Sequence, residues 1–439
     1  MPLLLDLEPL RSNLDYRRLY AGFTLSNVGS QLAVVAIGLQ VYELTGSTAS
    51  VGLVGLFALV PLVVMGLYGG SLVDHFDRRV VGLAAQSVAF VVSLLCALQA
   101  WLGNTEVWVL YVLVAAWNAA FAVSSPARTS IYPRILRRDQ LPAANALSVF
   151  AMNASMTVGP LLAGVLVDVG GFRTAYTVDA VITTAALWGL ARLRSLPPEP
   201  AETPDGAGDA AATGTASGAA RRAPGIRSVL DGFAFLATRP NVRMTFLADI
   251  AAMVLAQPRV LFPAAGALIF GGGATTVGAL SAAAAVGGIG AMFFSGRLGS
   301  VRRQGLAILV SIVGWGAAIA GLGAAMLMAG DVLTRGQALW AGLVAMALAG
   351  AADSVSAVFR TTILQSATPD HLRGRLQGVF IVVVAGGPRL GDVIGGFVAE
   401  HVGEGRTAVL GGVACVVAIV VLARVQPGFT RYDARHPTP

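Results

Sequence analysis

Long apolar runs separated by short polar links organise the chain. Six of them, Leu19 to Leu44, Ala49 to Val73, Val80 to Leu102, Val107 to about Ala127, Leu141 to Val169 and Thr174 to Leu193, precede one long polar stretch. Six more follow it: Val242 to Phe270, Thr276 to Leu298, Gly305 to Met328, Ala338 to Ile363, Leu376 to Val398 and Thr407 to Val425. At about 1.5 Å per residue, each is long enough to cross a hydrocarbon core of roughly 30 Å. The pattern predicts an all-α integral membrane protein of 12 transmembrane helices, numbered here in chain order. Residues 1–194 form the expected N-terminal six-helix bundle and 241–426 the C-terminal one, with a cytoplasmic tail over 427–439. Ser195 to Ala223 is rich in Pro, Gly, Ala and Thr, lacks apolar periodicity and reads as a disordered cytoplasmic linker. In the following 224–240 segment, Ile226, Val229, Leu230, Phe233 and Leu236 recur at helical spacing, which predicts an amphipathic helix on the membrane surface.

Composition strengthens this picture. Of 439 residues 56% are hydrophobic and only 12% charged, half the share usual in a soluble protein. The net charge of +7 could suggest nucleic acid, but the location of the arginines excludes it. With both termini cytoplasmic, 25 arginines fall in inner segments, three (Arg173, Arg335, Arg406) in outer loops and two (Arg259, Arg389) within spans, which together make all 30 basic residues. That is the positive-inside bias of a cell-membrane protein. With no lysine in the chain, no phosphate-cradling loop is complete, so transport would run on a gradient or a partner. Glycines such as Gly287 and Gly288 then read as sites of close helix packing. Cys96 and Cys415 are expected as free apolar thiols, and the four histidines form no metal-ligand spacing. No cofactor is expected. The N-terminus lacks a signal-peptide pattern, leaving helix 1 to direct insertion.

The link between helices 2 and 3 carries Gly70, Leu72, Asp74, Arg78 and Arg79. Gly-x-Leu-x-Asp-x-x-x-Arg-Arg at this position resembles the loop signature of the major facilitator superfamily. A worn copy follows helix 8, with Arg302 and Arg303 in place and Ser300 near the position of the acid. Asp139 to Asn145 echoes Asp370 to Gln377, and Gly159-Pro160 in helix 5 echoes Gly387-Pro388 in helix 11. Gly159, Pro160 and Gly164 also resemble the superfamily's antiporter signature, with Ser155 and Ala163 replacing two glycines. Proline removes a helix hydrogen bond and small residues admit a neighbouring backbone, so this stretch is either a bend that seals the pathway or an ordinary packing kink. Arg17-Arg18, Leu44 to Ser47, Arg259 to Pro263 and Thr368 to Arg375 are similar to the branch of enterobactin and multidrug exporters. The resemblance implies the major facilitator fold, two pseudo-symmetric bundles enclosing a cavity lined by helices 1, 4, 7 and 10. It also implies export by proton antiport across a bacterial inner membrane, and an inner-gate latch of Asp74, Arg78 and Arg79. Helix 4 departs from many proton-coupled members in lacking an arginine in its outer part.

Charges inside spans are the sharpest functional signal, because a charge in lipid is costly and faces a cavity or a partner. By helical rise Asp249 lies about 10 Å and Arg259 about 25 Å into helix 7 from the inner side, and Asp353 about 22 Å from the outer side in helix 10. Arg389 and Asp392 lie about 20 and 24 Å deep in helix 11. Two levels emerge: Asp249 and Asp353 as candidate proton-coupling acids, and Arg259, Arg389 and Asp392 as an ion-pair group or an anion site. Fixed ion pairs welding helices 7, 10 and 11 are the alternative. Asn27, Gln31, Asn118 and Gln257 are candidate substrate contacts or amides bonding a neighbouring helix. Asp179 and Glu43 fall near the outer interface, solvated or paired, Asp179 for instance with Arg173. The expected protein is a secondary active exporter of drug- or siderophore-class molecules, acting as a monomer with small-molecule substrate, protons and bilayer as partners. A proton-coupled uptake symporter or lipid-flipping facilitator is the other transport reading. An enzyme is not expected, since no nucleophile, base and orienting group occur together.

Overall fold

The computed structural model describes residues 6–193, 236–293, 301–366 and 381–433, with backbone alone for 67–75, 129, 138, 365, 366, 381 and 382. The linker 195–223, most of the amphipathic segment, and the links 294–300 and 367–380 lie outside the described residues. Among the described residues ten helices are long and apolar enough to span a membrane. In chain order the helices are α1 (Leu14–Thr45), α2 (Thr48–His75), α3 (Arg78–Trp101) and α4 (Val107–Ile135). Next comes the 51-residue element Leu141–Ala191, split at Gly171 into α5 (141–170) and α6 (172–191). Then follow α7 (Pro240–Ile269), α8 (Gly273–Met292), α9 (Gln304–Met328), α10 (Arg335–Ser366), α11 (Gly386–Val402) and α12 (Glu404–Val425). Counting α5 and α6 separately, and α11 with the π turn Ile381–Ala385 before it, is consistent with 12 crossings.

A straight helix of 51 residues would be about 77 Å long. Gly171, with φ 69° and ψ −177°, turns the chain back instead, a conformation glycine adopts without a Cβ clash. Packing confirms the reversal. Along α1, Tyr16 and Ser155's partner Thr24 meet α5 in ascending order, whereas Gly22 and Gly29 meet Ala185 and Asp179 of α6 in descending order.

The two halves pack by one scheme. In the first, α1 packs on α5 and α6, α2 on α4, and α3 on α4 and α6. In the second, α7 packs on α11 and α12, α8 on α10, and α9 on α10 and α12. Adding six to each helix number converts one set into the other. The halves meet through α2 with α11 and α5 with α8, two seams related by the same operation. Outward faces carry apolar side chains such as Val60, Leu98, Val181, Leu348 and Val413, as a lipid solvent requires. Gly287 of α8 lies against the Ala347 backbone of α10, so the glycine-rich run serves close helix approach as its composition implied.

Contacts between halves gather at one end, where α1–α2, α5–α6, α7–α8 and α11–α12 are joined by short turns. Here Gly52 and Gly396 face each other so closely that an added Cβ on Gly396 would stand 2.7 Å from the Thr48 carbonyl oxygen. On the second seam Gly278 lies against Pro160, and Gly164 against Ala274 and Thr275.

Candidate functional site

The helix α7 is broken where the site lies. Pro258 can donate no hydrogen bond, and π turns at Ala251–Leu255 and Ala265–Ile269 flank a 3-10 turn at Arg259–Leu261. Trp315 Nε1 of α9 donates to Ala256 O at 3.2 Å, satisfying a carbonyl at the break. The break aims Arg259 outward from the helix, and it is exposed although it sits within the span. Irregular backbone at this depth is tolerated where it lines a cavity.

The two inner acids do come together, through a residue that the charge pattern had assigned to the inner end of helix 10. Arg360 ion-pairs with Asp249 of α7 and, at 3.2 Å, with Asp353 two turns away on α10. Asp249 and Arg360 side chains are 5% and 14% exposed, whereas that of Asp353 is 39% exposed. The second Asp249 oxygen, Oδ2, has no hydrogen-bond partner. The seven-residue spacing of Asp353 and Arg360 was the available signal, since it puts both on one helix face.

The outer group is arranged differently from a simple ion pair. Among the described residues no carboxylate lies within 4 Å of Arg259. Its charge acts on Asp353, Asp392 and Arg389 alike, so the two levels read from the sequence form one electrostatic cluster. Arg389 donates to Asn118 Oδ1 of α4 at 2.9 Å, a bond that crosses between the halves. Asp392 Oδ1 is buried without a partner, and Gly55 of α2 packs directly on the Arg389–Asp392 turn. Gln257 is buried against Gly391 beside a cavity of about 190 Å³. Gln31 lies against Gly159 of α5. Asn27 faces a separate cavity inside the first half, with Phe23, Trp117, Phe121 and Arg128.

The short-turn end is held by acids at helix ends that the sequence reading did not single out. Asp168 at the end of α5 accepts from Ala274 N at 3.1 Å, Thr275 N at 2.9 Å and the Thr275 hydroxyl, capping the first turn of α8 from the other half. On the α2–α11 seam Ser47 and the Ala49 N–H donate to Glu400, and Thr48 to Glu404 at 2.8 Å. The helix 5 motif lies at this closure: Gly159 meets α1, while Pro160 and Gly164 meet α8.

At the opposite end α2 stays helical through Gly70 and Asp74, whose side chains lie outside the description. Asp77 caps α3 by accepting from Arg79 N at 2.8 Å. The Arg79 guanidinium donates to Ala191 O at 2.7 Å, within its own half rather than across the gap, and buried Arg78 nitrogens lack partners. Arg137 bridges Glu8 and Asp139, and the Asp139 hydrogen bond holds its guanidinium above the ordinary arginine value.

One expectation is corrected. Asp179 is neither solvated nor paired with Arg173: it is 3% exposed inside the first half, while Arg173 stacks over Trp101 at 5.6 Å.

Comparison with known proteins fits this architecture. A family profile described as transmembrane secretion effector matches residues 6–436. The enterobactin exporter EntS of Citrobacter koseri is 27% identical over 437 residues, covering 99% of this chain and 97% of that protein. EntS of Escherichia coli strain SMS-3-5 is 28% identical over 442 residues, covering 98% and 99%. Among solved structures, a peptide transporter POT in complex with sulfate aligns with TM-score 0.73 at 12% identity, covering 96% of each chain. A bacterial homologue of the iron transporter ferroportin in the inward-facing state gives 0.64 at 14%, covering 95% and 98%. These structural likenesses speak to the fold.

Proposed function

We propose that this chain, which belongs to the transmembrane secretion effector family of the major facilitator superfamily, exports small anionic molecules of the siderophore or drug class by alternating access. It is a multi-pass membrane protein and a transporter, not an enzyme. With the arginine-rich termini in the cytoplasm of a bacterial inner membrane, the short-turn end faces outward. The conformation is then closed outside and poised to load from within. Acting as a monomer, the two halves rock about the α2–α11 and α5–α8 seams, and the helix 5 bend at Gly159 and Pro160 forms part of the outer closure. When the outer seams part, Asp74, Arg78 and Arg79 latch the inner ends.

The observation that carries this reading is the Arg360 bridge beside an exposed Arg259. Asp353 is 39% exposed, so it can trade Arg360 for a proton, while Asp249 stays buried. Arg259, with Arg389 and Asn118 nearby, attracts an anionic substrate into the space between the halves. Arg259 is also a cation that faces Asp353 and Asp392, so substrate and proton occupancy are linked through it, and the sign of that linkage separates exchange from cotransport. Efflux from proteoliposomes with an imposed proton gradient tests it: Asp249→Asn and Asp353→Asn should abolish coupling while leaving downhill exchange. Undiminished coupling in both variants would remove these acids from the mechanism, and gradient-driven accumulation in right-side-out vesicles would reverse the direction.

A further inference from the structure

Asp179 has no part in the scheme above, yet its surroundings are specific. It lies on α6 at 3% exposure, and among the described residues no arginine is in ion-pair reach. Its hydrogen-bond partner is a neutral hydroxyl, Thr183 at 3.4 Å on the same helix, and the buried Ser93 hydroxyl of α3 is a neighbour. Among the described residues the titratable groups facing it are the Cys96 thiol of α3 and the Tyr176 phenol of α6, and what α1 sets against it is Gly29. Gly29 of α1 abuts its carboxyl so closely that any side chain there would strike it. An ionised carboxylate without a cation in such a place costs several kcal/mol, whereas a neutral acid needs only hydrogen-bond partners.

A polar route leads to it. Ser30, next to Gly29, lines a cavity of about 60 Å³ together with Asn27, Ser26, Gln86, Ser124 and Arg128. One water needs roughly 10–15 Å³ in this measure, so there is room for a few. Gln86 donates to Ser26 at 3.3 Å, and Asn27 Nδ2 is buried there without a partner, as expected of a donor that meets water. From Asp179 the cavity begins beyond Thr183, at Ala186 of α6, about 10 Å along the helix. Its far wall includes Leu19, Ile131 and Leu190, towards the end that carries the chain's N-terminus.

We propose that Asp179 is a proton-binding site of the first half, occupied at neutral pH and loaded through this hydrated cavity, independently of the Asp249–Arg360–Asp353 cluster. An excess proton carried by the cavity waters passes to the Thr183 hydroxyl as that hydroxyl gives its own proton to the Asp179 carboxylate, with no other bond changed. Infrared difference spectroscopy of the full chain in nanodiscs tests it apart from any transport reading. At neutral pH a protonated-carboxyl C=O band is expected that persists in the Asp249→Asn/Asp353→Asn variant, disappears in Asp179→Asn and moves in Asp179→Glu. On transfer to D₂O the band should shift, and Gln86→Leu, which makes the cavity less polar, should slow that shift at least tenfold without reducing the band. Absence of the band in the unmodified protein overturns the proposal, as does a band untouched by both Asp179 variants. An exchange rate indifferent to Gln86→Leu overturns the route.

Discussion

Replacing Arg360 by glutamine separates the structural from the functional weight of the acid cluster. Asp249 and Arg360 side chains are 5% and 14% exposed, so this pair is buried, and removing one partner of a buried pair costs about 3–5 kcal/mol. Asp353 is 39% exposed, so its bond to the same guanidinium is worth what surface bridges are, about 0–1 kcal/mol. Arg360→Gln and Asp249→Asn should therefore each be strongly destabilising, and Asp353→Asn should cost less than about 1 kcal/mol. The double variant Arg360→Gln/Asp249→Asn leaves no buried charge stranded, since Asp353 is 39% exposed. It should be more stable than the sum of its parents predicts by at least about 2 kcal/mol, a coupling that a double-mutant cycle isolates. Unfolding of the purified variants by steric trapping in bicelles gives the four free energies. Strictly additive costs, or an Asp353→Asn loss larger than that of Asp249→Asn, would refute the assignment of Asp249 as the buried partner.

Other outcomes follow from the same geometry. Asp168→Ala removes the cap that α5 lends to α8; a lost cap costs about 1 kcal/mol, which shifts a two-state balance about fivefold, and spin-label distances across α5 and α8 at the short-turn end should broaden towards longer values, whereas an unchanged distribution would show the cap to be idle. Gly396→Val puts two methyl groups against the α2 backbone, overpacking worth about 1–3 kcal/mol, so cysteines placed on the two sides of this seam should cross-link more slowly; unaltered cross-linking would contradict the contact. Arg259→Gln should raise the KM for anionic substrates by roughly 10- to 100-fold, the range of one charge-assisted hydrogen bond, and leave that for neutral substrates unchanged; equal effects on both classes would make Arg259 structural.

Much of the fold was legible because lipid imposes helices, and helices of known rise must be of a certain length. The misjudged ends have local causes. Helix α1 starts at Leu14 rather than Leu19 because the Asn13 side chain accepts from Tyr16 N, a cap outweighing the polarity of Arg17 and Arg18. Helix α4 runs to Ile135 past Pro126 and Pro133. The break in α7 left only Gln257-Pro258 as a trace, since π turns have no compositional mark. At the site, the rule that charges in spans face a cavity or a partner pointed to Asp249, Asp353, Arg259, Arg389 and Asp392. It could not tell which charge meets which, because that depends on helix rotation. Arg360 looked like an interfacial arginine, and Asp179 like a solvated acid, because depth along a helix does not reveal what the facing helix leaves open. Gly29 makes that opening, across 150 residues of sequence.

The seam at the short-turn end has an unusual electrical character. Asp168, Glu400 and Glu404 fasten the halves by accepting from hydroxyls and amides, with no arginine among their partners in the described residues. Such fastenings carry no opposite charge for dissolved ions to shield, so seawater or dilute medium on that side should leave their strength nearly alone. The arginine-studded opposite face has the reverse property, and whatever ionic tuning this protein undergoes should be felt there.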